Sequence, residues 1–129
     1  MYNNALKAYQ TVHNETISGR ETEARVLTQA AQRLGECQKQ WDTGDHRTRL
    51  DSALKYNQRI WSIFQVEVTK PENPLPAEVK RNIMQLSLFI DRRIFDVMAF
   101  PAPEKLDIII RINKNIAAGL RGSPAGPVD

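Results

Sequence analysis

Cysteine is almost absent from this chain: Cys37 is the sole example in 129 residues. A single thiol excludes an intrachain disulfide framework and a cysteine-based zinc site. It suits a reducing compartment without proving one. Long apolar runs are missing too. Stretches such as Ile108-Ile109-Ile110 fall far short of the ~20 residues that span a bilayer. The segment Met1-Tyr2-Asn3-Asn4-Ala5-Leu6-Lys7 lacks the charged start and apolar run of a signal peptide. These absences predict a soluble cytoplasmic protein with no membrane partner.

Charge of one sign is also lacking. The 18 basic and 15 acidic residues leave a net charge of +3, and neither half is basic. A protein that neutralises many phosphates concentrates Lys and Arg on one face. The pI of about 9.2 leaves RNA open but does not argue for it. Lys80-Arg81 and Arg92-Arg93 lie ~18 Å apart along one helix. With Arg111, Lys114 and Arg121 they form a candidate basic strip, interrupted by Glu78, Asp91, Asp96 and Asp107.

Catalytic constellations are equally scarce. His13 and His46 have no second histidine at ligand spacing. Cys37 has no CxxC partner, and reads as a structural cysteine. No nucleophile elbow, dinucleotide fingerprint, P-loop or HExxH occurs. Glu21 and Glu23 stand two apart, so on a helix they point to different sides. No residue set supports an enzyme.

What is present is the material of one domain. Apolar residues make up 41% and charged residues 26%, both near globular averages. Four breaks divide the chain: Thr16-Ile17-Ser18-Gly19, Asp42-Thr43-Gly44-Asp45, Lys70 to Pro76, and Phe100-Pro101-Ala102-Pro103. Proline stops a helix by removing a donor and displacing its predecessor, so the last two breaks are firm.

Between the breaks the apolar spacing is helical. Leu6, Tyr9 and Val12 mark a weak first face. Leu27, Ala31, Leu34, Gln38 and Trp41 mark the second. Leu50, Leu54, Asn57, Trp61, Phe64 and Val68 form the third stripe, and Val79, Ile83, Leu86, Ile90, Ile94 and Val97 the fourth. Leu106, Ile109, Asn113, Ile116 and Leu120 form the fifth. Ser18 with Glu21 predicts a capping box, and Asp45 a further cap. Pro76 and Pro103 suit first-turn positions, and Gly122 a left-handed helix end. We expect an all-α protein: a compact bundle of about five helices with no sheet, over residues 1–121. Residues 122–129 read as a flexible tail.

Polar residues interrupt these stripes. Asn57 and Asn113 sit inside them, and Asn82 lies beside one. A buried unpaired amide costs ~1–3 kcal/mol, so each must find a partner. Either they fix helix register, or they orient a groove that binds another protein. Trp61 and Phe64 carry the same ambiguity, because Ile60, Trp61, Ile63 and Phe64 cover a wide arc. Leu88, Phe89 and Phe95 add apolar surface off the fourth stripe. That surplus suits a helix-binding groove or the seam of a homodimer. Four large side chains newly buried by a partner return roughly 6–12 kcal/mol gross, against an association cost of at least ~4 kcal/mol.

Three stretches in this order resemble a known family. They are Tyr56-Asn57-Gln58-Arg59-Ile60-Trp61-Ser62-Ile63-Phe64, then Asn73-Pro74-Leu75-Pro76, then Ile112-Asn113-Lys114-Asn115-Ile116-Ala117-Ala118-Gly119-Leu120. The chain is similar to the flagellar biosynthesis regulator FlaF over about residues 2–122. The resemblance implies a positive role in flagellin synthesis and export, with no enzyme activity and no cofactor. It implies flagellin as a partner, through a secretion-chaperone role. It also implies a link to FlbT, which restrains flagellin translation. An adaptor that binds FlbT, or a contact with flagellin mRNA, stays open beside the chaperone. Our expected site is a groove among the third to fifth stripes. Trp61 and Phe64 anchor a flagellin helix there, Ile90 and Ile94 lie opposite, and Asn57 and Asn113 orient the groove. Asn73, Pro74, Leu75 and Pro76 fix the turn between its walls.

Overall fold

A computed structural model describes the backbone of residues 2–122, and the side chains of residues 6, 7 and 19–122. His13, Tyr9, Val12, the Ser18 cap and most of the tail lie outside the described side chains. Four α-helices and one short 3-10 helix make up the described chain: α1 (Tyr2–Lys39), α2 (His46–Thr69), α3 (Ala77–Ala99), η1 (Pro103–Leu106) and α4 (Asp107–Leu120). Among the described residues there is no strand.

The predicted first break does not occur. α1 runs through Thr16-Ile17-Ser18-Gly19 without interruption, so two of the five expected helices are one. None of these residues is proline, and a helix-interior glycine costs only ~1 kcal/mol relative to alanine. A Cβ at Gly19 would meet nothing within 4 Å, so no tertiary contact requires glycine there. The predicted Ser18–Glu21 capping box is also lost, since this stretch is helix interior.

The other three boundaries stand. Residues 40–45 turn the chain between α1 and α2. Thr43 Oγ1 donates to the Gln40 carbonyl at 2.8 Å, and the Thr43 amide donates to the same oxygen at 3.1 Å. Asp45 occupies the N-cap of α2, but its carboxylate makes no cap bond; its backbone carbonyl accepts from Arg49 N at 3.0 Å instead. Pro76 is the N-cap of α3 rather than its first residue, and its carbonyl accepts from Lys80 N at 3.0 Å. Pro103 opens η1 as its first residue. Gly122 adopts φ 79°, and its amide donates to Gly119 O at 3.1 Å, ending α4 in the left-handed form only glycine takes freely.

The helices alternate in direction. Asn57 meets Ala30, and Arg33 lies over the Tyr56 ring, so α2 runs back along α1. The short connection over residues 70–76 brings the end of α2 to the start of α3, and with Gln65 meeting Ser87 it sets α3 antiparallel to α2. Gln38 donates to Asp107 Oδ1 at 2.6 Å near one end of α4, and Arg121 reaches Glu21 just past the other. α4 is therefore antiparallel to α1. The core collects Ala24, Leu27 and Leu34 of α1, Leu54 and Trp61 of α2, Ile90, Ile94 and Val97 of α3, and Leu106 and Ile109. Small residues Ala24, Ala30 and Ala31 let α1 approach its neighbours closely.

Candidate functional site

Most of the predicted groove is filled by the protein itself. Asn57, Trp61, Ile90, Ile94 and Asn113 are at most 1% exposed. They cannot line an open groove in this fold, because each faces the interior. The two asparagines and the tryptophan satisfy one another. Trp61 Nε1 donates to Asn113 Oδ1 at 2.9 Å, and Asn113 Nδ2 donates to Asn57 Oδ1 at 2.6 Å. Asn57 Nδ2 then donates to the carbonyls of Ala53 (2.9 Å) and Ala30 (3.3 Å). This chain of bonds ties α2 to both α4 and α1. A slip of any of the three helices by one turn would leave buried amides unpaired, so the chain fixes their register. Asn82 is exposed and takes no part.

Phe64 is the exception among the predicted anchors. It is half-buried, with its ring edge-on to Trp61 at 5.6 Å between centroids. Its outer side lines a cleft of about 160 Å³ between α1 and α2. The walls are Val26 of α1 and Ile60, Ile63 and Phe64 of α2; the rim carries Thr22, Glu23 and Glu67. Ile63 and Val66 are 56% and 57% exposed, and extend the apolar strip along α2 toward Arg59. The wide arc of α2 therefore reaches solvent on the α1 side, where the sequence pattern places no groove. Val26 fell outside the α1 stripe by spacing; the surplus at Ile60 and Ile63 was the available signal.

The rim is electrostatically uneven. Burial and the like charge of Glu67 push the Glu23 carboxyl above its ordinary pKa, with Arg20 opposing. Glu23 makes no hydrogen bond or ion pair among the described residues. Glu67 pairs with Lys70 at 2.8 Å, and that bond holds the Lys70 ammonium above its ordinary pKa.

Asn73-Pro74-Leu75-Pro76 lies in the irregular connection between α2 and α3, where Asn73 makes two hydrogen bonds. Its Oδ1 accepts from Leu75 N at 3.0 Å, and its Nδ2 donates to Glu67 O at 3.1 Å, closing the end of α2. It orders the α2–α3 connection but does not wall a groove.

A second apolar set lies on α3. Leu88 and Phe95 are 47% and 61% exposed, seven residues apart and so on one face, with Arg92 between them. Arg93 stacks over Phe89 at 5.7 Å. Behind this face, Gln65 bonds Ser87 and Asp91, and Asp91 Oδ1 is buried with no partner. The candidate basic strip is divided. Arg121 forks onto Glu21 at 3.1 Å and onto Thr28 at 3.2 Å, so it is committed to α1.

Cys37 is buried, and burial raises its thiol pKa, the opposite of what a nucleophile needs. His46 packs edge-on against Trp41 at 5.4 Å. Among the described residues no group of three or more His, Cys, Asp or Glu is placed to hold a metal ion. No described helix is long and apolar enough to cross a membrane.

Neither the curated proteins nor the solved structures contain a match to this chain. A family model described as flagellar protein FlaF matches residues 5–120, nearly the whole sequence. The stretches around Trp61, Asn73 and Asn113 all fall inside that match, and the structure makes them the register chain and part of the α2–α3 connection. On that match the chain belongs to the FlaF family of flagellar proteins.

Proposed function

We propose that this protein serves flagellum biogenesis by binding flagellin before export, as a secretion chaperone that covers an apolar flagellin segment. The family match supplies the flagellar setting. The observation that carries the reading is the apolar surface outside a completed core: Ile63 and Val66 on α2 beside the cleft at Phe64. Flagellin segments made for helical packing would assemble prematurely if left uncovered. Surface of this kind, on a fold whose own core is closed, suits helix-in-groove binding.

The test is co-purification of the tagged protein with monomeric flagellin at low salt and at about 0.5 M salt, where charge contacts are largely screened. Retention in both conditions is expected. Loss of all flagellin at low salt would end the chaperone reading.

The exposed Leu88 and Phe95 favour a second reading, because they lie on a different helix from the cleft. An adaptor that holds FlbT has a separate surface available there. Replacing Phe95 with Asp would then abolish FlbT retention while flagellin stays bound.

A further inference from the structure

The cleft between α1 and α2 has apolar walls and an acidic rim at one end. Ile60, Phe64 and Val26 form the floor, and Ile63 stands exposed at the edge. Glu23 and Glu67 come from different helices and line the same opening, and the charge of Glu67 helps push the Glu23 carboxyl above its ordinary pKa. Nothing in the described structure neutralises Glu23 by direct contact. Glu67 is already paired with Lys70 at 2.8 Å, and Arg20 acts on Glu23 only at longer range, so Glu23 is the rim carboxylate without a contacting cation. A cation placed beside it, within reach of Glu67, relieves the repulsion between the two. Arg59 stands at the opposite end of the exposed strip, eight residues and so ~12 Å from Glu67 along α2. Arg59 thus offers a basic group beyond the cleft, at the far end of the strip from the two glutamates.

From this juxtaposition we propose that the α1–α2 cleft docks an amphipathic helix carrying a Lys or Arg on its apolar face, with that cation seated between Glu23 and Glu67. The proposal rests on the partner-binding reading above and assigns it a surface and a chemistry. The apolar residues flanking the cation pack on Ile60, Ile63 and Phe64. Lysine and arginine suit this place because their stems cover apolar surface while their heads reach the rim. The ends of the cleft also set direction, since an acidic residue about two turns from the cation would meet Arg59. The α3 face at Leu88 and Phe95 has Arg92 at its centre and so selects against such a helix.

The experiment titrates the full chain with a fluorescent designed peptide of about five helical turns, apolar on one face with a single central Arg. Its twin has Glu in place of that Arg. The Arg peptide is expected to bind, and the Glu twin at least about tenfold more weakly. Ile63→Asp is expected to weaken the Arg peptide about tenfold or more. Glu23→Gln and Glu67→Gln are each expected to weaken it roughly threefold at low salt, with the loss shrinking as salt rises. All three positions are at the rim or edge, and circular dichroism checks that each variant keeps its helix content. Equal binding of the two peptides, no binding of either, or no effect of Ile63→Asp would overturn the proposal. So would sedimentation showing a dimer that Ile63→Asp dissociates, because a second copy would then fill the cleft. Monomeric flagellin as competitor separates the two readings. If the Arg peptide behaves as expected and flagellin does not displace it, the cleft stands and the flagellin reading falls. If flagellin binds but ignores all three substitutions, the flagellin reading stands and the cleft falls.

Discussion

Asn113 accepts a hydrogen bond from Trp61 and donates one to Asn57, with all three side chains buried. Replacing it with Ala strands the Trp61 Nε1 donor and the Asn57 Oδ1 acceptor away from water. Each orphan costs ~1–3 kcal/mol, so Asn113→Ala is expected to lower unfolding free energy by about 2–6 kcal/mol in a denaturant titration. Trp61 fluorescence reports the same change directly. At Cys37, burial raises the thiol pKa and blocks access. Reaction with a thiol reagent is therefore expected only at the rate at which the bundle opens; rapid labelling of folded protein would contradict its placement. Glu21 and Glu23 of α1 are shifted in opposite senses. Burial and Glu67 raise the Glu23 pKa, so the folded state gains stability from Glu23 as pH falls through that raised value, and loses it above. Glu23→Gln is expected to leave Tm unchanged or raise it slightly at neutral pH. The Arg121 hydrogen bond lowers the Glu21 pKa, so that contribution is present above the unfolded carboxylate pKa and is lost as pH falls through the lowered one. Side-chain NMR titration of the two carboxyls checks both signs.

At the scale of the element, the prolines were readable and Gly19 was not. Pro71, Pro74 and Pro76 separate α2 from α3, and Pro101 separates α3 from η1, which Pro103 opens, as their lost donors require. Thr16-Ile17-Ser18-Gly19 looked like a break but costs the helix little per residue, and α1 passes through it. Gly19 is exposed with open space around its Cβ position. Gly19→Ala is accordingly expected to stabilise α1 by up to ~1 kcal/mol, read as a rise in Tm. A fall would mean that the helix does break there. The third stripe was legible almost residue by residue, since Leu50, Leu54, Asn57, Trp61 and Val68 are all buried. The fourth was legible except at its N-terminal end, since Ile83 and Leu86 also pack against the core. Ile90, Ile94 and Val97 are buried while Val79 is exposed, because periodicity does not say where a neighbouring helix ends.

For the whole molecule, the all-helical class and the family followed from pattern and motif, but the candidate site did not. The periodic stripes mark what faces inward, so the residues most visible in the sequence, Trp61, Ile90, Ile94 and the asparagines, became the core. A binding surface is built from what the stripes leave over. Apolar side chains left exposed here include Ile63 and Val66 on α2, and Leu88 and Phe95 on α3. Which leftovers gather into a cleft depends on the α1–α2 contact, which the spacing of one helix does not contain. Core and surface should accordingly separate in experiment. Core substitutions change stability, and Ile63 substitutions change binding.

The most direct test is the affinity of monomeric flagellin for three folded proteins: the native chain, Ile63→Asp and Asn113→Ala, each corrected for its folded fraction. The account predicts that native protein and Asn113→Ala bind alike, while Ile63→Asp loses about tenfold or more. Equal affinity for all three would contradict it, as would a loss confined to Asn113→Ala, which would return the binding surface to the interior residues.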